Sequence, residues 1–176
     1  LREAGHLEAA RAQLELSKKV SQDMGIAFAE AVATCELGIL HLLANDAHDA
    51  SELLRRGLQL LARTSHGRCV GVYEAFLAAA ESACGNRGRA RRLFAEAREA
   101  LVERSGNLRH ALLVDLLEGF AAEPLSGEAS GRNEDRRKKA AGAPRLAFDV
   151  TRDERSSGEL RLAARLVLAR GDASRC

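Results

Sequence analysis

Aromatic residues are scarce in this sequence of 176 residues: Trp is absent, and Phe and Tyr together make up 3%. Val and Ile are also few, which argues against a large β-sheet because these residues fill strands. Ala and Leu supply most of the apolar content, and both are strong helix formers. The composition therefore predicts an all-α protein.

An excess of charge of one sign is also missing. The formal net charge is +2, and Arg residues alternate with Glu, as in the segment 96–99. This alternation is typical of a solvated helix face. A nucleic-acid binder would instead show clustered Lys and Arg with aromatic residues between them. The charge pattern therefore disfavours nucleic acid as the partner.

The sequence lacks cysteine pairs of the C-x-x-C type, a signal peptide and an apolar run of about 20 residues. Cys35, Cys69, Cys84 and Cys176 are expected to be reduced thiols in a cytoplasmic protein. A membrane is not an expected partner. The chain opens at Leu1 inside a helical pattern, which suggests an excerpt from a longer protein.

A forty-residue repeat covers residues 1–122, about two thirds of the chain. When the sequence is shifted against itself by forty positions, small and apolar residues coincide. One helical pair cannot bury its apolar face alone, so adjacent pairs must share a core. The aligned sets include Ala10, Ala50 and Ala90; Leu14, Leu54 and Phe94; Ser17, Gly57 and Ala97; Val32, Val72 and Leu112; and Leu37, Leu77 and Leu117.

Each unit is predicted to be two helices joined by a short turn, and the first unit holds only its second helix. In the second helices, inward residues recur at intervals of three and four. Gly85 permits the left-handed backbone that ends a helix. The predicted helices cover residues 6–20, 26–43, 47–62, 68–83 and 89–103. The inward positions are Ala50, Leu53, Leu54, Gly57, Leu58 and Leu61, and then Ala90, Leu93, Phe94, Ala97 and Leu101.

Small and large residues follow a fixed order within each unit. The second unit reads Leu37-Gly38, His41, Asn45-Asp46-Ala47, Ala50, Leu54, Gly57; the third reads Leu77-Ala78, Glu81, Gly85-Asn86-Arg87, Ala90, Phe94, Ala97. The first unit contains Gly5-His6-Leu7, Ala10, Leu14 and Ser17 at the matching positions. This order resembles the tetratricopeptide family. The period is forty rather than the family's roughly 34, most of the family's aromatics are missing, and its terminal Pro is absent.

The resemblance implies a right-handed superhelix of antiparallel helix pairs, with a groove lined by the first helices. Relatives that clamp a peptide carboxylate use Lys and Asn there. The matching positions in this chain hold Cys35 and Ile39, and then Ala75 and Ala79, which disfavours a charged C-terminal peptide. An apolar groove would instead suit a helix or a neighbouring domain. Its predicted lining is Val32, Cys35, Ile39, Leu43, Val72 and Phe76.

The repeat pattern fails after Ala122. Residues 123–144 are rich in Gly, Ser and charge and predict a flexible linker, in which the basic run 136–139 is expected to be solvated. Residues 145–176 form a short C-terminal segment, with alternation over 146–150 that could form a strand. A helix over 157–169 is expected to start at a capping box of Ser156 and Glu159 and to stop at Gly171. Its predicted inward residues are Leu160, Ala163, Ala164, Val167 and Leu168. We favour docking on the repeats or an incomplete module for this segment.

The sequence contains no recognisable motif for catalysis or cofactor binding. No phosphate-binding loop and no Gly-x-Ser-x-Gly elbow is present. His41 and His48 flank a turn but lack a third ligand for zinc, and His41 is expected to pack where the family has an aromatic. Asp46 and Asp49 are interpreted as helix-start residues favoured by the helix dipole. No enzyme activity, cofactor or metal is therefore predicted.

Two functional hypotheses remain open. The first is an interaction scaffold or sensor module of a larger bacterial signalling protein, which binds a protein partner or an intramolecular domain. The resemblance supports this context, because long-period arrays of this type occur in bacterial multidomain signalling proteins. The second is a transcription regulator in which the C-terminal helix belongs to a DNA-binding domain, such as a winged helix.

Overall fold

The computed structural model describes residues 6–64, 69–103, 108–122, 147 and 158–173. Every regular element in these ranges is helical, which confirms the all-α prediction for this part of the chain. The elements are α1 (Leu7–Asp23), α2 (Ala27–Leu43), α3 (Ala47–Leu61), α4 (Val70–Ala83), α5 (Arg87–Arg98), a π-helical turn (Glu99–Glu103), α6 (Leu108–Ala122) and α7 (Gly158–Ala173).

The helix predictions for the repeat are confirmed to within a few residues, and three predictions need correction. α1 extends to Asp23 because the residue that ends it is Gly25, not a residue near Val20. α7 continues past Gly171 to Ala173, because glycine also adopts helical dihedrals. Ala147, the one described residue of the predicted strand, is helical. The linker 123–144 and Ser156 of the predicted capping box lie outside the described residues.

Three of the turns between helices close in the same way. Gly25, Asn45 and Gly85 have φ angles of 69°, 63° and 85°, in the left-handed region. After each of them, the next backbone N–H donates to the carbonyl oxygen five residues earlier, at 2.8–2.9 Å. This arrangement is the Schellman motif, which satisfies the last carbonyls of the preceding helix. Asn45 and Gly85 lie forty residues apart, so the turn repeats with the sequence.

Replacement of Gly85 by Ala tests the turn conformation. A Cβ at Gly85 would meet no atom within 4 Å, so the cost comes from the backbone alone. We expect Gly85→Ala to lower the free energy of unfolding by about 1 kcal/mol. Gly88→Ala is the matched control, since Gly88 lies inside α5 in open space, and it should gain about 0.5–1 kcal/mol. Urea denaturation measures both; equal effects at the two sites would contradict the turn geometry.

Consecutive helices pack against each other along the chain, from α1 on α2 to α4 on α5. The contact between α2 and α3 is especially close because glycine is present on both helices. A Cβ at Gly38 would lie 2.8 Å from Cγ of Leu54 and 3.1 Å from the carbonyl oxygen of Ala50. Gly57 lies equally close to Cys35. The first helices also contact each other, since α4 touches both α2 and α6.

The C-terminal helix α7 packs against α6 and also touches α2. Of the residues predicted to face inward, Leu160, Ala163, Ala164 and Val167 are buried, and Leu168 is partly buried against the core. Leu162 and Leu166 are buried as well, so α7 is covered on more than one face. α7 is therefore part of the same hydrophobic core as the repeats.

Candidate interaction surface

The predicted groove lining lies on α2 and α4, and half of it is inaccessible. Cys35, Ile39 and Phe76 have no exposed surface, and they belong to the hydrophobic core. The other three, Val32, Leu43 and Val72, are partly buried against that core. A partner could reach the first three side chains only if helices moved apart. These six residues therefore do not form an open groove in this structure.

Cys35 shows why the predicted lining is closed. Its thiol faces α3, where Gly57 leaves room for it. Burial, together with the nearby Cys69 thiol, raises the pKa of Cys35 to about 12. A neutral, buried thiol is a poor nucleophile. Cys35 therefore contributes packing between α2 and α3, and it forms no disulfide.

Glu81 on α4 is the centre of a polar cluster that joins two repeat units. Its carboxylate is completely buried, and it accepts hydrogen bonds from Ser51 at 3.0 Å and Arg55 at 3.0 Å on α3. Asn86 donates to it at 2.8 Å, and Arg89 lies 3.6 Å away. Burial raises the pKa of Glu81, but these hydrogen bonds and the Arg89 charge outweigh it and leave the pKa lowered. The sequence analysis did not identify this cluster.

A second polar contact joins α5 to α6. Arg98 lies 2.8 Å from Asp115 and 3.2 Å from Glu118. Burial of Arg98 lowers its pKa, but these two carboxylates reverse that effect and raise it. A third contact joins α1 to α2, where the Gln22 amide donates to Glu30 at 2.8 Å. Polar pairs therefore bridge successive helices at three points along the stack.

His41, Asp46 and Asp49 form a small cluster at the turn between α2 and α3. His41 Nδ1 lies 3.1 Å from Asp46 Oδ2 and 3.9 Å from Asp49 Oδ2, and ligand atoms of the three residues lie within 4.8 Å of one another. Asp46 also accepts the backbone N–H of Asp49, as a helix cap. The hydrogen bond with His41 is the main cause that lowers the Asp46 pKa. These contacts are those of a helix start, as interpreted from the sequence, and His48 is exposed.

Large apolar side chains are exposed at one place in the described part of the chain. Leu16 and Val20 on α1, and Met24 directly after its last residue, lie four residues apart and are 56%, 45% and 66% exposed. Ile26, in the turn to α2, is 43% exposed. Exposed apolar patches of this kind mark interaction sites in soluble proteins. We refer to Leu16, Val20, Met24 and Ile26 as the α1 face.

The α1 face has uncharged neighbours on one side and charged neighbours on the other. Gln13 and Ser17 are exposed beside Val20 and Met24. Lys19 and Asp23, three residues after Leu16 and Val20, are exposed on the opposite side of the face, and Lys18 pairs with Glu15 at 3.2 Å farther around the helix. The corresponding exposed side of α3 carries Glu52 and Arg56. The α1 face thus differs from an ordinary solvated helix surface in its apolar content.

Comparison with models of known protein families, with curated proteins and with solved structures finds no significant match to this chain. None of the described helices combines the length and the apolar content that a membrane crossing requires.

Proposed function

We propose that this chain is a helical-repeat interaction module, and that it binds a protein partner or a neighbouring domain through the α1 face. The proposal includes a tetratricopeptide-like solenoid. Its support is the contact of Gly38 with Ala50 and Leu54, since these are the positions at which the motif places small and large residues. The setting we propose is the regulatory or sensor portion of a larger bacterial signalling protein.

One observation carries this proposal. The apolar residues at the predicted inward positions of α3, α5 and α7 are buried or partly buried, whereas Leu16, Val20 and Met24, at the C-terminal end of α1, are exposed together. Exposed apolar area is unfavourable in water, by about 25 cal/mol per Å². A partner that covers the α1 face removes this cost, which gives binding a physical driving force.

The position of α7 favours this proposal over DNA recognition. A recognition helix must leave one face free to enter the major groove. In α7, by contrast, Leu160, Leu162 and Leu166 are all buried, because the helix packs on α6 and α2. A cytoplasmic location is also part of the proposal, since Cys35 and Cys84 are not joined in disulfides.

Site-specific photo-crosslinking in cells tests the proposal. A photoreactive amino acid placed at Val20 should crosslink to a discrete protein, because this side chain would lie inside the interface. The same amino acid at Arg56, exposed on α3, is the control and should not form that product. The partner is then identified by mass spectrometry and purified.

Binding of the purified partner completes the test. Val20→Glu should weaken the measured affinity at least tenfold, because about 1.4 kcal/mol corresponds to a factor of ten and a buried charge costs more than that. Arg56→Glu should leave the affinity unchanged. Crosslinking that is equal at both positions, or an affinity that Val20→Glu does not alter, would show that the α1 face is not the binding surface.

A further inference from the structure

The repeat allows α1 to be compared with its equivalents α3 and α5, position by position. Residues forty apart occupy matching places, so Ala10 corresponds to Ala50 and Ser17 to Gly57. In α3 these places face α2: Gly57 lies against Cys35 and Ala31, and Ala50 lies beside Gly38. The first helix of a unit therefore covers this face of the second helix.

In α1 the same face is only half covered. Ala10 is buried, like Ala50 and Ala90. Further along the helix, however, Ser17 is exposed, whereas Gly57 and Ala97 are buried. Val20 is also more exposed than its equivalent: Val20 is exposed, whereas Leu60 is partly buried against the core. The uncovered part of α1 is thus the side that α2 covers in the next unit, apart from Leu16, whose equivalent Arg56 is exposed on α3.

We infer that the occupant of the α1 face is a helix of the same kind as α2, antiparallel to α1 and with a small residue at the point of closest approach. This inference rests on the proposed function and specifies its partner. α2 shows what the position requires: Gly38 lets its backbone approach Leu54 so closely that an added Cβ would lie 2.8 Å from that side chain. Because the uncovered side carries no charge at Gln13, Ser17, Val20 and Met24, the contacting side of the partner helix is apolar as well.

The charge on α1 is compatible with a helix of this kind. The uncovered side has no Asp, Glu, Lys or Arg at positions 13, 17, 20 and 24, whereas Lys19 and Asp23 lie on the outer side, beyond Leu16. α2 carries few charges too: its acidic residues are Glu30 and Glu36, and both already contact this chain, at Gln22 and Tyr73. An α2-like helix therefore presents an apolar side without bringing an unpaired charge into the contact.

A synthetic peptide with the sequence of residues 27–43, carrying Cys35→Ala to prevent oxidation, is the probe. Its binding to the full chain is followed by fluorescence anisotropy. We expect saturable binding, weakened at least tenfold by Val20→Glu in the chain and unchanged by Arg56→Glu. A peptide that also carries Gly38→Leu should bind at least tenfold more weakly, because a large side chain would hold the two helices apart.

Two results would overturn the inference. One is peptide binding that Val20→Glu leaves intact, or that Gly38→Leu does not weaken. The other is a chain that is dimeric in analytical ultracentrifugation and that Val20→Glu converts to monomer, since a second copy would then occupy the α1 face. If the peptide fails to bind while crosslinking at Val20 yields a partner, the proposed function stands and the α2-like helix is wrong. If neither probe engages Val20, both fail.

Discussion

Gly57→Ala should destabilise the protein by about 2 kcal/mol, although alanine is the better helix former. The added Cβ would overlap the Sγ atom of Cys35 and would lie 3.0 Å from its backbone nitrogen and 3.1 Å from the carbonyl oxygen of Ala31. Overpacking of this kind costs about 1–3 kcal/mol, and the gain in helix propensity is at most about 1 kcal/mol. Because two of the three close atoms belong to the backbone of α2, α2 and α3 must move apart.

A double-mutant cycle identifies the cause. In a Cys35→Ala background the overlap with sulfur disappears, so the Gly57→Ala penalty should fall by about 1 kcal/mol, within the usual range for contacting pairs. Unfolding in urea gives the four free energies. If Gly57→Ala costs the same in both backgrounds, Cys35 does not lie against Gly57 and the placement of these helices is wrong. Gly88→Ala, in open space, shows the propensity gain alone.

Glu81→Ala should also lower the free energy of unfolding by about 2–3 kcal/mol, the scale of hydrogen bonds to a charged group. The substitution removes the shared acceptor of Ser51, Arg55 and Asn86 and leaves a cavity in the core. The loss stays below that of a fully buried ion pair, because Arg55 and Arg89 keep about half of their side-chain surface in solvent. Glu52→Ala, an exposed glutamate on α3, is the control and should change stability by less than about 0.5 kcal/mol.

The contribution of Glu81 should depend on pH. The folded-state pKa of Glu81 is lowered from its ordinary value of 4.5, so the carboxylate form is favoured by folding. Its contribution is therefore complete above pH 4.5 and is lost as the pH falls through the lower, folded-state value. The difference in unfolding free energy between the native chain and Glu81→Gln should shrink from pH 7 to acid pH. A difference that grows on acidification would contradict the cluster as described. Asp46, whose pKa is also lowered, is present in both proteins and cancels.

The helices of the repeat could be predicted from sequence because two local signals agree there. Ala50, Leu54, Gly57 and Leu61 recur at the helical period, and all are buried. Asn45 and Gly85 mark the helix ends because these residue types tolerate a left-handed backbone. Helix ends without such a residue are harder to predict, and at Gly171 the glycine signal was misleading because the helix continues.

The interaction surface was harder to predict because burial depends on what lies on each side of a helix. Periodicity correctly placed Ile39 and Phe76 on first helices, but α2 and α4 are covered on several sides and these residues are fully buried. The sequences of α2 and α4 did contain a signal of this burial, since an apolar pattern all around a helix indicates that it is buried. Glu81 is another example: its partners Ser51 and Arg55 lie about thirty residues away in the sequence, beyond the reach of local patterns.

The exposure of the α1 face is the central structural claim, and the stabilities of two glutamate variants test it most directly. Val20 and Leu60 occupy equivalent positions in successive units, but Val20 is exposed and Leu60 is partly buried against the core. The free energy of unfolding should change by less than about 0.5 kcal/mol in Val20→Glu, as for a surface position, and fall by about 1–2 kcal/mol in Leu60→Glu. A Val20→Glu loss as large as that of Leu60→Glu would show that the α1 face is already covered in the free chain, which would contradict the account.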